Sequence, residues 1–565
     1  MAAAIETHGL TKTYSGEVRA VAGLDLRVEP GEVFGYLGPS GAGKSTTIRM
    51  LLDLIRPTAG QALVLGLDTR RNGVEARRHL GYLPGDLRLN DRMTAREQLD
   101  SLARMRSSVD AGLRGRLCER FGVVLDRPIR QLSKGNRQKV GVVQAFMHRP
   151  QLVILDEPTS GLDPLLPAEF RSLVRETAGE GRTVFLSSHS LDEVQHVADR
   201  TGSSAGGGSW TSTRSSAFAS ARCDTWRLSS TRLRTRGRSS GSTASASMAP
   251  PAGRCACPRP CARWTRSSRR PPAIPSSTSF RSRPTSRSCS SSCTRRSRMA
   301  AELARRGLAD HRRALAGWCL GIAGYCLLVA SIFPSIKGSE AFTKLLEDYP
   351  DALKSLFGLS SAGDLSTGAG FIDADLFSLM LPLLVLVLGI GSGTRTFAGE
   401  EEAGRLELML SYPVRRRNAV LAKAAAVAAE ILILSAAGFV ALLVLDPVFG
   451  LDLGFWRLAA AMGALAALGI FYGWLALGLG ASVSSKLLAI AVPAGYAAAA
   501  YLVSGRHDLA GWLDPLRFLS PFWLIGSSPL QDGVDGWGVL VVLAAALAAV
   551  AVGAVLVERR HLEVA

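Results

Sequence analysis

Between residues 201 and 298 the chain has no lysine and a single acid, Asp224, against 19 arginines and 26 serines. That tract carries a net charge of +18, while all 565 residues together carry +19. The rest of the chain is therefore close to neutral, and its basic balance is no sign of a specific nucleic-acid partner. Apolar periodicity is missing from the tract as well, which excludes a packed core there. Cysteine is scarce elsewhere, since six of the nine fall inside the tract. Cys118, Cys319 and Cys326 make no disulfide framework and are expected to pack as small apolar groups. Cys255, Cys257 and Cys261 lack paired C-x-x-C spacing and a nearby histidine, which argues against a metal site. No cleavable apolar leader opens the chain, which suits a cytoplasmic first domain.

Two readings of residues 201–298 stay open. One is a disordered Arg/Ser-rich linker that binds anionic surfaces, lipid headgroups or nucleic acid. The other is a shifted reading frame, and the composition favours it. Shifted codons of a GC-rich gene yield just this mixture of Arg, Ser, Pro and Cys with almost no Lys or Asp. Sequencing the DNA for a single-base indel near codon 200 decides between them. On either reading the terminal strands of the first domain are expected to be missing.

What is present begins with Gly38-Pro39-Ser40-Gly41-Ala42-Gly43-Lys44-Ser45-Thr46, a G-x-x-x-x-G-K-S loop. A strand-like run, Val33 to Leu37, precedes it, and a helix-like run from Thr46 follows. That order makes a phosphate cradle: glycines let successive N–H groups face one anion, and the helix offers its positive end. Lys44 then reaches the terminal phosphates, and the Ser45 hydroxyl is placed to ligate Mg²⁺. Leu152 to Glu157 reads as a buried parallel strand delivering two carboxylates to a sheet edge. Asp156 is expected to hold Mg²⁺ and Glu157 to polarise the attacking water. A second strand-like run, Thr183 to Ser187, ends at Ser188-His189, where a histidine can hydrogen-bond the γ-phosphate.

With those elements in order, the segment resembles an ABC-transporter ATPase, of the kind paired with ABC-2-type export permeases. Leu132-Ser133-Lys134-Gly135-Asn136-Arg137-Gln138 is similar to that family's signature loop, and Ser160-Gly161-Leu162-Asp163 to the loop between its two sites. The resemblance implies a P-loop NTPase fold, ATP and Mg²⁺ as ligands, and a homodimer. Ser133 and Gly135 of one copy would then close on the ATP held by the other. It also implies that Tyr14 stacks on adenine. One departure stands out: Gly85 occupies the place of the family's Mg²⁺-sensing glutamine, and Asp86 is a poor substitute.

From Met299 the composition changes again. Six apolar spans are expected near Leu315–Phe333, Leu376–Gly393, Ala424–Leu445, Leu458–Ser482, Leu487–Val503 and Val539–Val557, each long enough to cross a bilayer. Arg305, Arg306, Arg312 and Arg313 precede the first. Arg395, Arg405 and Arg415 to Arg417 fill the loop after the second, and Arg559 and Arg560 follow the last. The positive-inside bias puts these, and both ends, in the cytoplasm, with the Pro334–Asp375 loop and the loop holding Arg506, His507, Asp514 and Arg517 outside. Ala398 to Leu410, followed by Tyr412 to Arg415, resembles the coupling segment of ABC-2 permeases. It reads as a short charged helix with Leu406, Leu408, Met409 and Leu410 on its apolar face, ending near Pro413. Glu430 falls inside the third span, where a carboxylate is costly; three readings stay open, that it lines a transport path, that it is protonated, or that it pairs with Lys423.

The expected organisation is an α/β ATPase over 1–200, the linker over 201–298, and an all-α six-helix permease over 299–565. The expected function is ATP-driven export across the plasma membrane. A membrane-tethered regulatory ATPase, or an impaired fusion that binds ATP without transport, are the rival classes.

Overall fold

The computed structural model describes residues 2–14, 18–106, 109–159, 166–204, 210–214, 286–336, 367–506, 514–526 and 529–560. Within them, the parts of Met1–Ser215 and Arg295–Ala565 form one compact unit. Most of the linker, the Ser160–Asp163 loop, most of the Pro334–Asp375 loop and His507 lie outside the described residues.

The N-terminal part has two sheets. Strands β1 (Ile5–Thr13) and β2 (Arg19–Val28) pair antiparallel, and β4 (Ala59–Val64) and β5 (Leu67–Asp68) extend them in the order β2-β1-β4-β5. The second sheet is built on β3 (Val33–Leu37), which leads through the glycine-rich loop into helix α1 (Lys44–Leu51). Helix α2 (Thr69–Arg78) precedes β6 (Leu80–Leu83), and α3 (Ala95–Arg104), α4 (Ala111–Arg120) and α5 (Lys134–Phe146) follow it. Next come β7 (Leu152–Asp156), α6 (Leu166–Gly179), β8 (Thr183–Ser188), α7 (Leu191–Gln195), β9 (Arg200–Ser204) and β10 (Trp210–Arg214). The sheet order is β10-β9-β3-β8-β7-β6. Strands β3, β6, β7 and β8 are buried along their whole length, as parallel strands covered on both faces must be.

Two of these strands correct the expected boundary. Residues 201–214 were assigned to the linker and the terminal strands were expected to be missing. Instead β9 lies parallel to β3, from Phe34↔Arg200 to Leu37↔Ser203, and β10 pairs antiparallel with β9. The physical reason is that an open edge of β3 can be completed by backbone hydrogen bonds alone, which are indifferent to side-chain composition. Arg200 adds an ion pair to Glu32 at 3.0 Å.

Among the described residues, six helices are long and apolar enough to cross a membrane: His311–Ser335, Gly368–Thr396, Arg416–Phe449, Phe455–Ser482, Lys486–Ser504 and Gly536–Arg559. Each contains or closely overlaps its expected span. The fourth is the most buried and packs against the second through paired glycines. A Cβ on Gly393 would stand 2.1 Å from the Gly473 carbonyl oxygen, and one on Gly389 would stand 2.7 Å from that of Gly469. Two glycines one turn apart on each helix let the backbones touch, the close approach that drives helix association where lipid supplies no hydrophobic force.

Candidate active site

Strand β3 ends beneath the glycine-rich loop, and the loop runs straight into α1 at Lys44. Gly43 takes φ +81°, and a Cβ there would stand 2.2 Å from the Ala20 carbonyl oxygen, so no other residue fits this turn. Thr47 ties the loop to the sheet: its hydroxyl donates to the Gly43 carbonyl at 3.0 Å and lies 3.2 Å from the Tyr36 hydroxyl. Lys44 is buried, with its Nζ donating to the carbonyls of Gly38 (2.7 Å) and Pro39 (3.1 Å). The same Nζ stands 3.8 Å from Glu157 Oε1.

Parallel pairing of β7 and β8 sets Asp156 opposite Ser187, whose hydroxyl donates to Asp156 Oδ1. Glu157 follows at φ +45°, a left-handed conformation that non-glycine residues rarely take, held by its N–H donating to Ser187 O at 3.1 Å. That turn aims the carboxylate back at the loop. His189 Nδ1 lies 3.3 Å from Glu157 Oε1. Lys44, Asp156, Glu157 and His189 thus converge at the carboxyl edge of the parallel sheet, with Ser45 and Thr46 in the first turn of α1. Asp156 and Ser45 offer the hard oxygen donors that suit Mg²⁺, which takes one or two carboxylates beside substrate phosphates. Among the described residues no group of three or more His, Cys, Asp and Glu makes a self-sufficient metal cage.

Three expected binding residues stand apart from this cluster. The Ser133 hydroxyl accepts from Asn136 N–H at 3.2 Å, capping α5, with Gly135 in its first turn. Tyr14 is exposed, with Lys12 Nζ 5.2 Å from its ring centroid. Asp86 is exposed and pairs with Arg88 at 2.9 Å, while a side chain at Gly85 would stand 3.5 Å from Asp156 Oδ2.

A model of the ABC transporter family matches residues 21–160, and one described as the C-terminal domain of the multidrug efflux system permease Rv1217c matches residues 307–557. The chain is 39% identical over 189 residues to the ABC transporter ATP-binding protein NatA of Bacillus subtilis, covering 32% of this chain and 76% of that one. The chain belongs to the ABC transporters. It is also 41% identical over 202 residues to the daunorubicin/doxorubicin resistance ATP-binding protein DrrA of Streptomyces peucetius, covering 35% of this chain and 61% of DrrA. Its match to the probable multidrug ABC transporter ATP-binding protein YbhF of Escherichia coli is 39% identical over 208 residues and spans 35% of YbhF's length.

In this ABC transporter the segment expected to act in coupling, residues 398–415, joins the core of the α/β part. It is two short helices, Ala398–Glu402 and Arg405–Leu410, rather than the single one expected. Gly404 at φ +68° breaks them, with the Arg88 stem close over it. Leu406, Leu408, Met409, Leu410, Tyr412 and Val414 belong to the same continuous apolar core as β3 and β7. Four arginines hold the junction. Arg77 donates to Leu52 O (2.9 Å), Tyr412 O (3.1 Å) and Val414 O (3.1 Å). Arg106 lies over the Tyr412 ring, 4.4 Å from its centroid, and the Tyr412 hydroxyl donates to Gln144 Oε1 at 2.9 Å. Arg416 donates to Asp53 O (2.6 Å) and Leu54 O (2.9 Å), and Arg49 pairs with Glu407 at 3.3 Å. Burial pulls the Arg77 pKa down to about 10, against the pull of Asp53, so it stays charged near neutrality. Burial pushes Asp53 above the usual carboxylate range although Arg77 opposes it. Burial, followed by the Glu407 charge, holds the Tyr82 phenol well above its ordinary pKa, which keeps it a donor.

Sequence reasoning missed Arg49, Arg77 and Arg106 and read Arg416 only as a loop charge, because an arginine in sequence reads as a solvent-facing charge. One usable signal was present: Glu407 is a lone acid inside the apolar run Leu406 to Leu410, and a buried acid needs a partner. The expected Lys423–Glu430 pair does not form. Lys423 pairs with Glu400 at 2.5 Å, in the short helix Ala398–Glu402, because its side chain faces the Thr396 end of the second span. Glu430 instead accepts from Ser392 at 2.5 Å and lies 3.5 Å from His311 Nδ1. Cys118, Cys319 and Cys326 are free thiols, as expected.

Proposed function

We propose that this ABC transporter hydrolyses ATP to export compounds of the multidrug kind across the plasma membrane, working as a homodimer. The observation that carries the reading is the grouping of Lys44, Asp156, Glu157 and His189 at a sheet edge whose apolar core continues into the coupling segment of six membrane-length helices. The cargo class is suggested by the permease family matched at residues 307–557.

In this reading the 38–46 loop wraps the phosphates, and Lys44 gives up its loop carbonyls to neutralise the terminal ones. Mg²⁺, held by Ser45 and Asp156, would neutralise charge on the β- and γ-phosphates. Glu157 orients water, whose oxygen bonds to the γ-phosphorus as the bond to the β–γ bridging oxygen breaks. His189, beside Glu157, hydrogen-bonds the γ-phosphate. Tyr14 stacks on adenine, and Ser133 and Gly135 reach the second copy's nucleotide. Arginine-rich cytoplasmic loops orient the spans with the ATPase inside the cell. ATP closure then draws two coupling segments together and opens the membrane halves outward.

The deciding experiment compares ATP turnover of the purified full chain in vesicles with that of Glu157→Gln. We expect a fall of about a hundredfold or more, the loss typical of removing a positioned catalytic group. Equal rates would exclude this site as the catalyst.

A further inference from the structure

Helix α1 begins at Lys44 and also carries Arg49. Arg49 grips Glu407 of the coupling segment with two prongs, Nε to Oε1 and Nη2 to Oε2, both at 3.3 Å. The Tyr82 hydroxyl donates to the same Glu407 Oε1 at 2.7 Å. Tyr82 lies on β6, paired with β7 at Tyr82↔Ile154, and β7 is the strand that ends in Asp156. One membrane-side carboxylate is therefore held jointly by the helix of Lys44 and the neighbour of the Asp156 strand. Glu407 is 7% exposed, so parting it from these donors strands a buried charge. The far end of α1 is held as well: Arg416, where the third span begins, donates to Asp53 O and Leu54 O. A cation there is favoured by the negative end of the helix dipole. By contrast, no side chain leads from Asp156 to the membrane segment at Gly85, and Asp86 is turned onto Arg88.

We propose that Arg49 and Tyr82, converging on Glu407, form the link through which nucleotide binding moves the membrane helices, in place of a side chain at Gly85. The inference rests on the ATP reading above. When Lys44 exchanges the Gly38 and Pro39 carbonyls for phosphate, α1 shifts against β6, and both contacts to Glu407 change together. Arg49, Tyr82 and Glu407 are positioning residues; none touches the nucleotide.

The test uses the full chain in lipid vesicles, as wild type, Glu407→Gln, Arg49→Glu and the double variant Arg49→Glu/Glu407→Arg. Three quantities are measured with ATP as the probe: KM and kcat for turnover, and the hydrogen-exchange protection that ATP adds to residues 398–412. Both single variants should keep KM within about twofold, while the added protection falls about fivefold or more, a typical size for coupling between sites. The double variant, with the charges reversed, should recover most of the loss. A merely structural role would lower protection with and without ATP alike, and charge reversal would not restore it. The inference is overturned if ATP protects the segment equally in all four proteins, or if the double variant does no better than the singles. Failure of the wild type to turn over ATP at all would instead bring down the proposed function, a separate and recognisable result.

Discussion

Replacing Arg77 with methionine isolates what one guanidinium contributes to the junction between ATPase and membrane helices. Methionine keeps the apolar stem and removes the charge and five donors. Arg77 is 5% exposed and donates to three carbonyls, two of them across the junction at Tyr412 and Val414, with the Asp53 carboxylate 3.6 Å away. Removing one partner of a buried ion pair costs about 3–5 kcal/mol, because the acceptors keep their desolvation penalty without their donor. Asp53 is 22% exposed and water reaches it in part, which puts the expected cost at the lower end, about 3 kcal/mol. At roughly 1.4 kcal/mol per tenfold, local opening of residues 405–415 should rise about a hundredfold, read as faster native-state hydrogen exchange in that segment. The control is Arg78→Met, since Arg78 is exposed and pairs with the exposed Glu75 one turn away. It should change exchange by less than about threefold. Arg77→Met exchange within threefold of wild type would refute the claim that this guanidinium holds the coupling segment.

Two further outcomes follow from geometry. His148, between Leu80 and Arg106, has its pKa lowered from 6.5 to about 3, chiefly by burial. The unfolded chain takes up its proton first, so this stability is present above pH 6.5 and is lost as pH falls toward about 3. His148→Gln should therefore flatten the drop in thermal unfolding midpoint of the full chain from about pH 7 to about pH 5, and an unchanged slope would contradict burial of this imidazole as the cause. In the membrane part, Gly393→Ala puts a methyl 2.1 Å from the Gly473 oxygen, whereas Gly324→Ala meets nothing within 4 Å. Thermal unfolding in detergent should separate them, with Gly393→Ala costing about 1–3 kcal/mol as an overpacked contact and Gly324→Ala near neutral. Equal midpoints would mean that the second and fourth spans do not touch there.

Legibility differed by residue and for physical reasons. The positions of the Lys44 loop, the Asp156–Glu157 pair and His189 at element ends were readable because each ends or begins an element whose hydrophobic pattern is local. The left-handed turn at Glu157 was not, since its cause is the hydrogen bond from Glu157 N–H to Ser187 O, contributed by a strand 30 residues away. Composition misjudged residues 201–204 and 210–214, because a sheet edge recruits backbone whatever its side chains. Glu430 stood out as an odd carboxylate, and of the readings left open for it the pair with Lys423 does not form. Sequence spacing placed Lys423 on its own helix face, while packing turned that lysine to Glu400.

The chain's order of residues settled on its own that an α/β part with a G-x-x-x-x-G-K-S loop precedes six apolar, bilayer-length helices, since both signals are carried by short contiguous patterns of glycine, charge and apolar length. Only the tertiary structure decided how the two parts are joined. Arg49, Arg77, Arg106 and Arg416 meet carbonyls, a carboxylate and a ring hundreds of residues away, and a buried charge can be recognised only when the group that repays its lost hydration is in view.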